Sequence, residues 1–75
     1  MDKNLMLRIN LESIKSPENT LEKYGVDTVL QAWYELLYWV AQGDREAIKV
    51  HRMMDRYLAK TAKKVAKKRA SVKTP

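Results

Sequence analysis

Seven basic residues, Arg45, Lys49, Arg52, Arg56, Lys60, Lys63 and Lys67, recur at spacings of three or four through the second half of the chain. On an α-helix that spacing gathers them within about 80° of one another along about 33 Å of axis. Like charges so placed repel by roughly 0.2–0.5 kcal/mol per pair. A stripe that weakens its own helix points to an anionic partner, and phosphate contact is the chemistry these residues offer. Lys64, Lys68 and Arg69 extend the same basic run, and all ten residues are candidates for contact with DNA or RNA. The plain alternative is a solvated face that keeps a small protein soluble.

Other chemistries find little material. There is no cysteine, so disulfide staples and thiolate metal sites are excluded, and His51 is the only histidine. It lies beside the apolar arc of its helix, where a half-buried packing role fits better than that of a base or ligand. Glu35 could act as an acid or base only if a second group converged on it. Both glycines, Gly25 and Gly43, fall at helix ends, which leaves no glycine-rich loop to cradle a phosphate. The expectation is a non-enzymatic protein without metal or cofactor.

The elements that must position the basic stripe follow from charge and periodicity. Met1 to Asp44 carries four basic and seven acidic residues, whereas Arg45 to Pro75 carries eleven basic and two acidic, so halves of −3 and +9 lie within one net charge of +6. A chain of 75 residues makes one domain at most, and at that size folding hides only about 60% of the unfolded surface. Met1 to Asn10 lacks the pattern of a signal peptide, and a cytoplasmic location is expected.

Leu5, Leu7, Ile9 and Leu11 alternate with Met6, Arg8 and Asn10, a period-two pattern that predicts a short strand or extended arm; a helix using Leu7, Leu11 and Ile14 is the alternative. Ser16 as N-cap, Pro17 at the first helical position and Gly25 as stop delimit a short helix. A second helix is expected from Asp27 to Gln42, ending at Gly43, and a third from Asp44 onward. The fold class is mainly α: a small domain over residues 1–66 with a short helix, a central buried helix and a long basic C-terminal helix, preceded by the extended segment and followed by a basic flexible tail over residues 67–75.

The central helix is apolar over more than about 200° of its circumference, with Thr28, Gln31, Glu35, Tyr38 and Gln42 on the remaining stripe. Its apolar run of about 20 Å is short against a hydrocarbon core of about 30 Å, so no membrane is expected. In the third helix Ala47, Val50, Met54, Tyr57, Leu58, Thr61 and Val65 form an arc that predicts packing on the second. Trp33 and Trp39 lie about 120° apart, too far for one neighbour to cover both. Trp33, Tyr34, Tyr38 and Trp39, together with Leu5, Leu7 and Ile9 of the extended segment, are therefore candidates for contact with a protein partner.

A strand ahead of helices resembles the ribbon-helix-helix repressors, a resemblance that implies a homodimer in which Met6, Arg8 and Asn10 face the bases; the unequal helix lengths depart from that pattern. In size, charge asymmetry and architecture the whole chain resembles the very small bacteriophage proteins that redirect bacterial RNA polymerase. This resemblance implies a regulator in the host cytoplasm that docks on a larger nucleic-acid-processing complex while its basic helix lies along nucleic acid. Direct binding of DNA or RNA, as a homodimeric repressor or architectural module, is the alternative.

Overall fold

Asp2, Ser16, Gly25 and Asp44 stand at the starts of four helices: α1 over Lys3–Lys15, α2 over Pro17–Tyr24, α3 over Val26–Ala41 and α4 over Arg45–Val72. The computed structural model describes the backbone of residues 1–72 and the side chains of residues 1–64 and 66. Among the described residues there is no strand, so the expected N-terminal strand or arm is a helix. Asp2 caps it by accepting a hydrogen bond from the Leu5 N–H at 3.2 Å. The face it buries is helical in period, with Met6, Ile9 and Asn10 sealed from solvent and Leu7 nearly so, while Leu5 and Leu11 are half-buried. The ribbon-helix-helix likeness falls with the strand, because two of its supposed base-reading residues, Met6 and Asn10, lie in the core.

α1, rather than the expected central helix, is the most deeply enclosed element. The core consists of Met6, Leu7 and Ile9 from α1, Ala32 and Leu36 from α3, and Ala47 and Val50 from α4. The small side chains Ala32 and Ala47 leave room for α1 to lie close to both long helices. Asn10 ties α1 to α3: its amide donates to the Met6 carbonyl at 2.8 Å within the helix and to the Ala32 carbonyl at 3.0 Å across the core. A buried amide so satisfied also fixes the register of the two helices, since sliding one turn would leave it unpaired.

The turns work through local chemistry. Ser16 sits with φ −152° and ψ 85°, off the α-helical region as expected before a proline, and ends α1 by donating its N–H to the Glu12 carbonyl at 2.8 Å. Its side chain makes no capping bond; instead its carbonyl accepts from the Thr20 N–H and hydroxyl. Gly25, at φ 85°, lets α3 follow α2 directly, and α3 therefore begins one residue ahead of Asp27, which lies in the first turn and is not the cap. Gly43, at φ 82°, reverses the chain into α4.

α3 and α4 depart from expectation in what they leave uncovered. α1, α2 and α4 cover two sides of α3, with Trp33 and Trp39 half-buried, but Val26, Leu30, Tyr34, Leu37 and Tyr38 are exposed on the third. α4 touches the body only through its first turns. From Asp55 onward every described side chain is exposed, so Tyr57, Leu58 and Thr61 do not pack on α3. The helix runs to Val72. The molecule is accordingly elongated, 51 × 28 × 16 Å, with a radius of gyration of 14.8 Å against about 11 Å for a compact domain of this length.

Adjacent leucines on α3 test this packing. Replacing the fully buried Leu36 by alanine is expected to cost about 2–5 kcal/mol, a large part of the stability of so small a domain. Leu37→Ala, at a position 37% exposed, should cost less than about 1 kcal/mol. Urea unfolding of the two variants measures the difference, and equal losses would mean that α3 is turned differently.

Candidate nucleic-acid interface

The root of α4 is fastened before its basic face begins. Gly43 and Asp44 close α3 by donating their N–H groups to the Val40 and Trp39 carbonyls, each at 3.0 Å. Asp44 Oδ2 accepts the Ala47 N–H at 3.0 Å and so caps α4, while Oδ1 accepts a hydrogen bond from the Lys3 ammonium. Lys3 Nζ also stands 5.0 Å from the centre of the Trp39 ring. One lysine thus holds the first turn of α1, the end of α3 and the cap of α4 together. The Lys3 hydrogen bond, reinforced by the Ala47 N–H, holds the Asp44 carboxyl below the usual aspartate range, and the same hydrogen bond raises the Lys3 ammonium above its own.

Beyond this root, α4 has two faces. Ala47 and Val50 are buried in the core, Met54 packs half-buried against it, and Ile48 and His51 are half-buried. His51 stacks on Trp33, with ring centres 6.0 Å apart and planes 23° from parallel, and its Nδ1 lies 3.6 Å from Asp55 Oδ2. Arg45, Lys49, Arg52, Arg56, Lys60 and Lys63 are all exposed, and among the described residues none of them forms an ion pair. Arg45, Lys49, Arg52 and Arg56 line an open depression together with Ile48 and Met53. Cationic groups beside apolar side chains suit a phosphate next to its sugar, since the cations bind the anion and the alkyl surface meets the ring.

The structure therefore brings six of the ten predicted basic residues onto one face, about 27 Å from Arg45 to Lys63. Lys64 is exposed about 100° around the helix, and the side chains of Lys67, Lys68 and Arg69 lie outside the described residues. The predicted protein-contact residues do not stay together. Leu7 and Ile9 are core, Leu5 is half-buried beside them, and Trp33 and Trp39 are half-buried; Tyr34 and Tyr38 alone are open, at 66% and 57% exposure. Sequence reasoning missed Val26, Leu30 and Leu37, which are exposed next to these tyrosines. The signal was their spacing, which places all five on one stripe.

Glu35 is engaged by Gln31 Nε2 at 3.0 Å and by the Met1 amino group at 3.5 Å. Among the described residues no three His, Asp or Glu side chains converge, and no helix is long and apolar enough to cross a membrane. No family model, curated protein or solved structure matches the chain.

The Lys3 and Asp44 pair has a definite pH signature. A carboxyl whose folded pKa is depressed contributes stability above its unfolded pKa, and that contribution is lost as pH falls below about 4 through the folded value. The raised Lys3 value acts in the opposite direction, its share being lost only as pH rises through the folded ammonium pKa, above 10.5. Asp44→Asn keeps a good capping side chain but removes the charge. Its melting temperature should therefore lie below that of the wild type at pH 7 and approach it in acid, as followed by circular dichroism. A constant gap down to pH 2 would show that the charge pair is not responsible.

Proposed function

We propose that the protein is a non-enzymatic regulatory module that contacts DNA or RNA through the basic face of α4. The observation that carries this reading is the placement of Arg45, Lys49, Arg52, Arg56, Lys60 and Lys63 on one exposed face of a helix that leaves the body after Met54. An α-helix of this kind fits the major groove of a duplex, about 12 Å wide, or lies along a single strand. Contacts of this type fix position and do not read sequence, so the preference among sequences is weak and the salt dependence steep.

Replacing Arg52, Arg56, Lys60 and Lys63 together by glutamine tests the face. With a labelled duplex and fluorescence anisotropy across a salt series, the slope of log affinity against log salt should become shallower by up to about 3.6, or about 0.9 for each phosphate no longer neutralised. An unchanged slope would reduce the face to a solubility feature.

The exposed Tyr34 and Tyr38 favour a second reading, in which the protein docks on a larger nucleic-acid-processing complex and modulates transcription there. Bacterial RNA polymerase is the partner that the resemblance to small phage regulators implies. Purified polymerase should then be retained by the immobilised protein after nuclease treatment and in high salt, and Tyr34→Ala with Tyr38→Ala should release it. Loss of retention with nuclease alone leaves direct nucleic-acid binding as the function.

A further inference from the structure

Among the described residues two apolar surfaces lack cover. One is the stripe of Val26, Leu30, Tyr34, Leu37 and Tyr38 along α3; the other is the seam of Tyr57 and Leu58, continued by Thr61, on the part of α4 that leaves the body. We infer that each is the seat of the other in a second copy: the projecting segment of α4 lies on the open side of α3 of its partner, and the exchange is reciprocal. This goes beyond the nucleic-acid reading and does not depend on it.

Length and charge favour that pairing. The backbone of Asp55 to Val72 measures about 27 Å and that of α3 about 24 Å, so the two helices match in length, with the apolar contact made by Tyr57 to Thr61. Between Arg56 and Val72 there are seven basic residues and no acidic one, whereas α3 carries Asp27 and Glu35 and no basic residue. On the helix wheel Asp27 falls between Tyr34 and Tyr38 of α3 and Lys64 falls beside Tyr57 of α4, so the contact itself brings opposite charges together. Pairing two α4 segments with each other would instead align two sets of seven cations. Each chain carries one segment and one stripe, so two copies satisfy both and the assembly closes as a two-fold dimer.

The register of α4 keeps its basic face available. Tyr57, Leu58 and Thr61 lie on the side of the helix opposite Arg56, Lys60 and Lys63, so a segment seated on α3 turns those cations outward. The dimer would cover Tyr34 and Tyr38, and its formation therefore counts against docking of a larger complex on the same face.

Sedimentation of the full chain, free of nucleic acid, tests the inference. A concentration-dependent dimer is expected. Tyr57→Gln with Leu58→Gln should raise the dissociation constant by about tenfold or more, since a buried leucine and tyrosine are lost from each contact. Leu30→Gln with Tyr34→Gln on the stripe should do the same. All four positions are exposed in the single chain, so the helix content of each variant should match the wild type. Mixed in equal amounts, the two variants should form a heterodimer, because one intact segment then meets one intact stripe. A monomer at every soluble concentration would overturn the inference. So would a dimer indifferent to the α4 variant, which would set α3 against α3, or a mixture that fails to recover.

Discussion

The close approach of α1 to both long helices governs what the rest of the chain can do. A small domain has little apolar surface to hide, and this one places α1 against Ala32 and Ala47, where short side chains admit it. The Asn10 bond to the Ala32 carbonyl sets the height of α1 on α3, and the Lys3 bond to Asp44 sets its start against the root of α4. Burial contributes most of the free energy here, but it tolerates sliding; the two polar ties do not. With α1 in that place, α3 has two covered sides and one open side, and α4 is held for only about three turns.

That arrangement separates the chain's charges in space as well as in sequence. The acidic first half makes the body and the basic second half makes the projecting helix, and the Lys3 bond to Asp44 joins the two near residue 44. Among the described residues past Met54 no ion pair offsets the repulsion along the basic stripe of α4, since the last acidic residue, Asp55, stands beside His51 and off that stripe. The segment's helicity must come from its alanines and long straight side chains, which have good propensity, set against like-charge neighbours that oppose it. Any anion that settles on the stripe removes the opposing contribution.

Local signals made much of the fold legible. Pro17 forced Ser16 out of the helical region, the two glycines took positive φ, and Asp44 supplied a cap, so the boundaries around α2 and α4 fell close to where residue types placed them. The basic face was legible for the same reason, a period counted along one helix. α1 was misread because Leu5, Leu7, Ile9 and Leu11 satisfy a period of two, while Met6, Ile9, Asn10 and Ser13 satisfy one of 3.6, and sequence alone does not weigh a buried asparagine as core. What decided between them was the Ala32 carbonyl on another helix, a tertiary fact. The open sides of α3 and α4 were hidden likewise: an apolar arc states what could be buried, and only the angle at which helices diverge states what is.

The opposite faces of the projecting helix are not independent. A dimer joins two chains that each carry +6, and the same cations that line the outer face of α4 repel across it. If two copies pair as inferred and the stripe takes phosphates as proposed, neutralising it would ease the like charge of the pair, and by linkage the paired form would bind nucleic acid more tightly than the single chain. Added salt would then screen the net repulsion between copies while competing for the phosphates. On that reading the seam of Tyr57, Leu58 and Thr61 and the basic stripe behind it would form one device, in which packing on one side sets the spacing of charge on the other.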